Sequence, residues 1–134
     1  MEIFERQIAK NFVIETVNLS QATVTEAMQF KKMLDLDIEL GFRSIIVDLS
    51  SCNSLDSAFI GVLVVILKKM INLSGTIKIV KPGLFTTSVL TLTGTLERFE
   101  IYESVNEAVN SLSAIRPERE TYSDIGLDRL ALAQ

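Results

Sequence analysis

The sequence predicts an α/β domain with a largely parallel sheet, and three observations support this. Short β-branched, apolar runs alternate along the chain with longer segments of helical periodicity, as in strand–helix–strand units. The chain has 134 residues, which suits one domain with a substantial core. Hydrophobic residues make up 48% and charged residues 22%, a globular composition rather than a disordered one.

The first two predicted elements are strands over residues 2–9 and 12–19, joined by a short polar turn. In the second strand Phe12 and Ile14 face one side of the sheet, and Val13 faces the other. Two strands this close in sequence pair as a hairpin, so the first strand is expected to be an antiparallel edge.

An amphipathic helix is predicted next, beginning near Ser20 or Thr23 and ending at Gly41. Its apolar residues recur at a spacing typical of a helix and are Val24, Ala27, Met28, Met33, Leu34, Ile38 and Leu40.

Residues 44–49, SIIVDL, are typical of a central strand because they are short, apolar and rich in β-branched side chains. A polar turn then leads into an apolar helix over residues 58–73. Either Asp56 or Ser57 is suitable as the N-cap of this helix, which is expected to end near residues 74–75.

Strands are also predicted over residues 76–80, TIKIV, and residues 99–102, FEIY. Between them residues 85–93 are ambiguous, since their β-branched side chains favour a strand by propensity alone. The last helix of the domain is predicted over residues 104–115, with Ser104 as N-cap and Glu107 completing a capping box.

After Arg116-Pro117 the chain becomes charged and poor in apolar groups, so the domain is predicted to span residues 1–115. Residues 116–134 then form a charged C-terminal tail. Its last part, residues 123–134, could form one short docking helix.

The composition excludes the commonest catalytic sites. The chain has no histidine, which rules out Ser-His-Asp and Cys-His catalysis and every zinc site that needs histidine. The one cysteine, Cys52, cannot form a disulfide within the chain, which fits a reducing compartment. Its place in a polar turn would allow a reactive thiol, but no histidine is present to activate it. Phosphate-binding glycine loops are also missing from the sequence.

Charge and hydropathy restrict the partners. The net charge of −4 and the pI near 4.8 disfavour binding to nucleic acid or to an anionic membrane surface. The longest uncharged apolar run is about half of what a bilayer crossing requires. The first ten residues, MEIFERQIAK, contain acids and no apolar core, so they do not resemble a signal peptide. We therefore expect a soluble, cytoplasmic protein.

Two segments carry a resemblance to a known family. The run SIIVDLSSCNSLDSAFIGVLVVILKKMINLSGTIKIV resembles the core of the STAS domain, the family of the bacterial anti-sigma factor antagonists. The matching features are Asp48 at a strand end and Asp56-Ser57 with Gly61 at the start of a helix. The run LTGTLERFEIYESVNEAV resembles the closing segment of that family, through Gly94, Phe99, Ile101, Tyr102, Glu107 and Ala108.

The resemblance covers roughly residues 5–115 and implies a single STAS-like domain. The expected architecture is a mixed, mostly parallel sheet of four to five strands with about four helices. One of these helices would be residues 85–93, against their propensity.

The same resemblance implies a function. Ser57 stands at the phosphoacceptor position, with Asp48, Asp56 and Ser20 around it. An unphosphorylated antagonist binds an anti-sigma factor, a serine kinase with a GHKL-type ATP site, and so releases a sigma factor for transcription. Phosphorylation by that kinase ends the binding, and a serine phosphatase restores it. The chain itself would have no enzymatic activity and no cofactor, and it could form a homodimer.

Phe59 is the expected partner contact, because it follows Ser57 closely on an apolar helix, and Ala58 and Val62 lie beside it. Gly61 is expected to permit close helix packing at some cost in helix propensity.

Two departures from the family pattern favour an alternative function. Ala58-Phe59 replaces the small residues that commonly follow the acceptor serine, and Ser20 stands where an aspartate is common. The alternative is a constitutive STAS adaptor or scaffold subunit in a larger signalling or transport complex, with Ser57 as a plain helix cap. A third hypothesis, a small enzyme or nucleotide-binding protein using Asp48 and Asp56 with magnesium, has the least support.

Overall fold

The computed structural model describes residues 2–80 and 99–114. In order along the chain, the strands are β1 (Phe4–Ile8), β2 (Val13–Val17), β3 (Gln21–Ala22), β4 (Ser44–Asp48), β5 (Ser54–Leu55), β6 (Thr76–Val80) and β7 (Glu100–Tyr102). The helices in this part of the chain are α1 (Val24–Glu39), α2 (Ser57–Asn72) and α3 (Val105–Ala114).

Five strands form one mixed sheet in the order β1-β2-β4-β6-β7. The first two pair antiparallel, with Phe4 opposite Val17, and every other neighbouring pair is parallel. The expectation of a mostly parallel sheet with an antiparallel first edge strand is therefore confirmed. The helices α1 and α2 lie in the connections from β2 to β4 and from β4 to β6, which parallel pairing requires, and α3 follows β7.

A second, two-stranded sheet was not predicted from the sequence. β3 and β5 pair in parallel, with Gln21 opposite Ser54 and Ala22 opposite Leu55. Each strand has only two residues, which is too short to show an alternating pattern in the sequence. This small sheet joins the segment before α1 to the segment before α2.

The alternation of side chains along the strands divides the interior into two apolar cores. The larger core lies between the sheet and the helices α1 and α2, and it includes Val13, Val17, Phe30, Leu34, Ile45, Leu63 and Ile66. The smaller core lies under α3 and consists of Phe12, Ile14, Ile46, Val80, Ala108 and Val109. The predicted opposition of Phe12 and Ile14 to Val13 is confirmed.

The helix boundaries follow local capping chemistry. α1 is capped by Thr23 rather than Ser20, since the Thr25 N–H donates to Thr23 Oγ1 and the Thr23 N–H donates to Glu26. Its end is followed by Gly41, which adopts a left-handed φ of 97°.

At the start of α3 the predicted capping box is only half present. The Glu107 N–H donates to Ser104 Oγ at 3.2 Å, as expected of an N-cap serine. The Glu107 carboxylate accepts from the Glu103 N–H instead of from Ser104. The reciprocal bond is thus displaced by one residue.

The turn after α2 places the left-handed residue one position earlier than a glycine would suggest. Ser74 has the positive φ, at 60°, and Gly75 follows it. Gly75 is required for a different reason: a Cβ there would lie 2.7 Å from the Arg43 carbonyl oxygen and 2.9 Å from Met70 Cε. The backbone of this turn therefore passes directly against the start of β4.

A buried ionic cluster ties the edge strand to α1. Arg6 Nε lies 2.9 Å from Glu15 Oε2, and Arg6 Nη2 lies 3.0 Å from Asp37 Oδ1. Glu15 and Asp37 are 1% and 0% exposed. Two buried carboxyls facing one guanidinium cannot both be charged at moderate cost.

Protonation of one of the two carboxyls removes this conflict. Burial, with the neighbouring Asp37, raises the pKa of Glu15 to about 9, and burial also raises the pKa of Asp37. Among the described residues, Glu15 Oε1 and Asp37 Oδ2 have no hydrogen-bond donor, and Asp37 Oδ1 has only the Arg6 guanidinium beside it. A proton on Glu15 supplies one, and the raised pKa of about 9 keeps the Glu15 carboxyl protonated near neutral pH.

Several expectations fall outside the described residues. These are the helix or strand over residues 85–93, the match at Gly94, the end of the domain at residue 115 and the tail over residues 116–134. Within residues 2–80 and 99–114, no helix combines the length and the apolar character that crossing a bilayer needs.

Two glycines provide a matched test of the packing. Gly75→Ala should lower the free energy of unfolding by about 1–3 kcal/mol, because the new methyl group meets backbone atoms that cannot move aside. Gly61→Ala should raise it by about 0.5–1 kcal/mol, because a Cβ at this helical position meets nothing within 4 Å. Urea unfolding of both variants checks the pair, and equal effects would contradict the described geometry.

The Glu15 carboxyl predicts a pH dependence of stability. Its pKa is higher in the folded than in the unfolded chain, so its stabilisation is complete below about pH 4.5 and is lost as the pH rises through about 9. Between pH 6 and 8, urea unfolding should show a loss of about 1–3 kcal/mol. Glu15→Gln should flatten this slope, whereas Glu5→Gln, at an exposed position on β1, should leave it unchanged. A slope that survives Glu15→Gln would assign the titration to another group.

Candidate functional site

The candidate site lies at the carboxyl end of β4, where a loop of residues 49–56 leads into α2. Ligands and partners of open α/β sheets commonly bind at this edge. The loop is held by backbone bonds to the segment before α1: the Asn53 and Ser54 N–H groups donate to the Ser20 carbonyl at 2.7 and 3.1 Å. The Asp56 N–H donates to the Ala22 carbonyl at 2.9 Å.

Asp56 caps two helices at once. Its Oδ1 accepts from the Phe59 N–H at 3.1 Å, which caps α2. Its Oδ2 accepts from the Val24 N–H at 2.7 Å, which is the first residue of α1. One carboxylate therefore satisfies backbone donors at both helix N-termini, where the helix dipoles also favour its charge.

Ser57 is the first residue of α2 and is exposed. Within the described part of the chain its hydroxyl makes no hydrogen bond, because Asp56 already occupies the capping position. The hypothesis that Ser57 is the helix cap is therefore wrong for this structure. Its side chain is free to be approached from solvent.

Ser20 contacts the loop of residues 49–56 and not the hydroxyl of Ser57. Its Oγ accepts from Asn53 Nδ2 at 3.0 Å, and its carbonyl holds the backbone of the same loop. It thus holds the loop that precedes Ser57 and forms no hydrogen bond to Ser57 itself in the described structure. This role depends on pairing across 33 residues, which the sequence does not reveal.

Asp48 is not brought together with Asp56 in a metal site. Its Oδ1 accepts from the Ser50 N–H at 3.0 Å, which is a local turn at the end of β4. No group of three or more acidic or cysteine side chains that could hold a metal ion occurs among residues 2–80 and 99–114. The described part of the chain thus adds no support to the magnesium hypothesis.

Cys52 is a buried structural residue. It is 0% exposed, and its Sγ lies 4.0 Å from the Val17 carbonyl oxygen. Burial, and secondarily the charge of Asp48, raises the pKa of the Cys52 thiol to about 11. A thiol that stays protonated and covered is not a nucleophile, so the reactive-thiol reading of this turn is wrong.

The expectation that Phe59 contacts a partner is also wrong for this structure. Its side chain is 0% exposed and stacks on Phe30, with ring centroids 4.5 Å apart. Phe30 stacks in turn on Phe4 at 5.7 Å. Val62 is only 9% exposed and Ala58 is half-buried, so this part of α2 belongs mainly to the core.

The accessible surface beside Ser57 consists of other residues. Gly61 and Val65 follow Ser57 at intervals of one helical turn and are exposed. Across the shared Asp56 cap, Val24 and Met28 of α1 are 67% and 64% exposed. We call these five residues, Ser57, Gly61, Val65, Val24 and Met28, the Ser57 face.

Sequence reasoning assigned Val24 and Met28 to the apolar side of α1, and it expected Gly61 to permit close packing. Ala27 and Leu34 of that prediction are buried, together with Phe30 and Asp37, whereas Val24 and Met28 are exposed. A Cβ at Gly61 would point into open space. The spacing of 27, 30, 34 and 37 could have identified the buried side of α1, because it keeps helical period through an aromatic residue.

The first turn of α2 and the Asp56 carboxylate set the electrostatics around Ser57. The N–H groups of Ser57 and Ala58 have no intrahelical acceptor, as in the first turn of any helix. They lie at the positive end of the α2 dipole, beside the Asp56 carboxylate. None of the five residues of the face carries a charge.

Comparison with known proteins adds the family. Residues 7–108 match the family model of the STAS domain. A curated relative from Thermotoga neapolitana, named as a candidate anti-sigma factor antagonist homologue, is 30% identical over 111 residues. The match covers 82% of this chain and 97% of the relative.

Solved structures show the same fold. A crystal structure of a candidate anti-sigma factor antagonist from Thermotoga maritima matches with a TM-score of 0.73 at 30% identity, covering 81% of this chain and 92% of that one. The anti-sigma factor antagonist SpoIIAA in its unphosphorylated form matches with a TM-score of 0.73 at 13% identity, covering 83% and 96%. The structure of SpoIIAA from Bacillus in its phosphorylated form matches with a TM-score of 0.66 at 14% identity, covering 81% of this chain and 98% of that one. At these identities the SpoIIAA matches show the fold alone.

The two residues at the start of α2 should differ sharply in their effect on stability. Asp56→Ala should lower the free energy of unfolding by about 2–3 kcal/mol, since it removes the acceptor for two helix N-termini. Asp56→Asn should lower the free energy of unfolding by an intermediate amount, because the amide oxygen can accept a hydrogen bond and the amide nitrogen cannot. Ser57→Ala should change stability by less than about 0.5 kcal/mol, because the hydroxyl has no partner to lose. Urea unfolding checks the series, and a large loss for Ser57→Ala would restore serine as the cap.

Proposed function

The chain belongs to the STAS domain family, and we propose that it is an anti-sigma factor antagonist that is switched off by phosphorylation of Ser57. Its partner would be a serine-kinase anti-sigma factor of the GHKL type, bound through the Ser57 face. Binding would free a sigma factor for transcription, and a serine phosphatase would restore the unphosphorylated form. Such a role belongs in the cytoplasm, and it requires no enzymatic activity of this chain.

The proposal rests on one observation: Asp56 caps the helices, and Ser57 does not. Asp56 bonds both helix N-termini, which leaves the Ser57 hydroxyl exposed and unbonded in the described structure. A serine that is not needed as a cap can be modified without removing a structural hydrogen bond. Its exposure also lets a kinase active site approach it.

Phosphorylation would change this face in charge rather than in fold. A phosphate on Ser57 adds about −1.5 to −2 charge and can accept from the free N–H groups in the first turn of α2. No basic side chain belongs to the Ser57 face, and the Asp56 carboxylate lies next to the acceptor. A dianion here would therefore face a partner surface that fits a neutral hydroxyl flanked by Val24 and Met28.

The alternative is a constitutive adaptor or scaffold subunit that is never phosphorylated. It is favoured by one specific feature: the place where an acidic residue is common is taken by Ser20, which is engaged in bracing the loop. The two functions differ in whether Ser57 ever carries a phosphate and in whether a charge at residue 57 affects binding.

The test starts from incubation of the purified chain with ATP and the candidate serine-kinase anti-sigma factors of the same cell. We expect a mass gain of one phosphate, mapped to Ser57 and abolished by Ser57→Ala. Ser51→Ala, at an exposed serine of the loop that precedes α2, is the matched control and should still be phosphorylated.

Binding to the kinase should then be measured by calorimetry in the presence of ADP. Ser57→Asp should weaken it at least about tenfold, because an unpaired charge in an interface costs about 2–5 kcal/mol. Ser51→Asp should bind as the parent chain does. Binding that is unaffected by Ser57→Asp, with no phosphate on Ser57, would favour the constitutive adaptor.

A further inference from the structure

A second site is suggested by a cavity at the end of the sheet opposite Ser57. We propose that this cavity binds a small anion with an apolar body, such as a medium-chain carboxylate. The cavity has a volume of about 570 Å³ and is lined by the β1–β2 turn, the starts of β4 and β6, and the end of α3. The β4 strand separates it from the Ser57 loop by about 15 Å, at about 3.3 Å per residue.

The charge of the lining favours an anion. Lys10 and Arg43 both line the cavity, and none of the described residues that line it is acidic, although the chain as a whole has a net charge of −4. Lys10 is exposed and forms no ion pair or hydrogen bond within the described part of the chain. Its ammonium group is thus available to a ligand.

The helix termini at this end are the main opposing influence, since a helix C-terminus attracts cations. The last carbonyls of α1 are already bonded to the N–H groups of Leu40, Gly41 and Phe42. Arg43 Nη1 also donates to the carbonyls of Ile38 and Phe42, at 3.2 and 3.0 Å. The Arg43 guanidinium offsets the negative end of the α1 dipole. The charge of Lys10 therefore makes the electrostatic potential of the cavity positive.

One polar atom of the cavity has a feature that a ligand would explain. Thr76 Oγ1 is buried without a hydrogen-bond partner in the described structure, which costs free energy unless something binds it. Ser74 lies beside it, and its positive φ of 60° belongs to the turn that ends α2. Both residues line the cavity.

The remaining walls explain why the ligand should have an apolar body. Leu40, Phe42 and Leu112 line the cavity, and Leu40 is 57% exposed to solvent. An inorganic anion would leave these side chains in water, whereas an alkyl chain of several carbons would cover them. A site with a few polar groups at one end and apolar walls is the usual form of a small-molecule pocket.

Octanoate is a suitable probe, and titration can be followed by backbone amide shifts in a ¹H–¹⁵N correlation spectrum. A ligand of this size is expected to bind with a dissociation constant of about 1 mM. The shifts should saturate and should concentrate at residues 41–44 and 74–76. The amides of Ser57 and Gly61 should not move. Octylamine, with the same chain and the opposite charge, should not bind at this place.

Lys10→Glu should weaken octanoate binding about fivefold or more, since it converts an attraction into a repulsion. Lys32→Glu, at an exposed lysine of α1 that does not line the cavity, is the matched control and should have no effect. Ser57→Asp should also leave octanoate binding unchanged, so this site is tested independently of the phosphorylation switch.

Three results would overturn the proposal. The first is octylamine binding as tightly as octanoate, and the second is shifts that spread through the core or centre on the Ser57 face. The third is an affinity that does not respond to Lys10→Glu.

Discussion

The structure around the candidate site depends on one shared carboxylate. Asp56 accepts from the Phe59 N–H at the start of α2 and from the Val24 N–H at the start of α1. Its own N–H is bonded to the Ala22 carbonyl in the small β3–β5 sheet. Two helices and two connecting segments are therefore held in one geometry by a single residue. Because this residue satisfies the helix N-terminus, its neighbour Ser57 is released from any structural bond.

The two ends of the sheet have different chemistry as a result of the parallel topology. Parallel strands place the helix N-termini at one edge and the C-termini at the other. At the first edge the dipole of α2 meets Asp56 and an uncharged face, where an added phosphate would be the dominant charge. At the second edge the C-terminal carbonyls are covered by local N–H donors and Arg43, and Lys10 leaves a positive cavity. A ligand at one end need not interfere with a partner at the other.

Sequence patterns were reliable where the cause of the structure is local. Strand positions follow from runs of β-branched residues, and the caps at Thr23 and Ser104 follow from hydrogen bonds spanning three residues. Sequence patterns did not predict which side chains are buried where two sides of a helix are both apolar. For α2, Phe59 could not be assigned to the core or the surface by periodicity, since the aromatic stack on Phe30 joins residues on different helices.

The sequence by itself therefore determined the strands of the main sheet within the described residues, the helices between them, the antiparallel first edge and the Asp-Ser pair at the start of an apolar helix. The structure assigns the α2 cap to Asp56 and leaves the Ser57 hydroxyl free. Only the tertiary structure decided that Asp56 also accepts from the first residue of α1, because that bond joins residues 32 apart in sequence. The same holds for the raised pKa of Glu15, which depends first on its burial and then on Asp37 being brought against it by helix packing. Long-range pairing leaves no periodic signal, so it becomes visible only once the chain is folded.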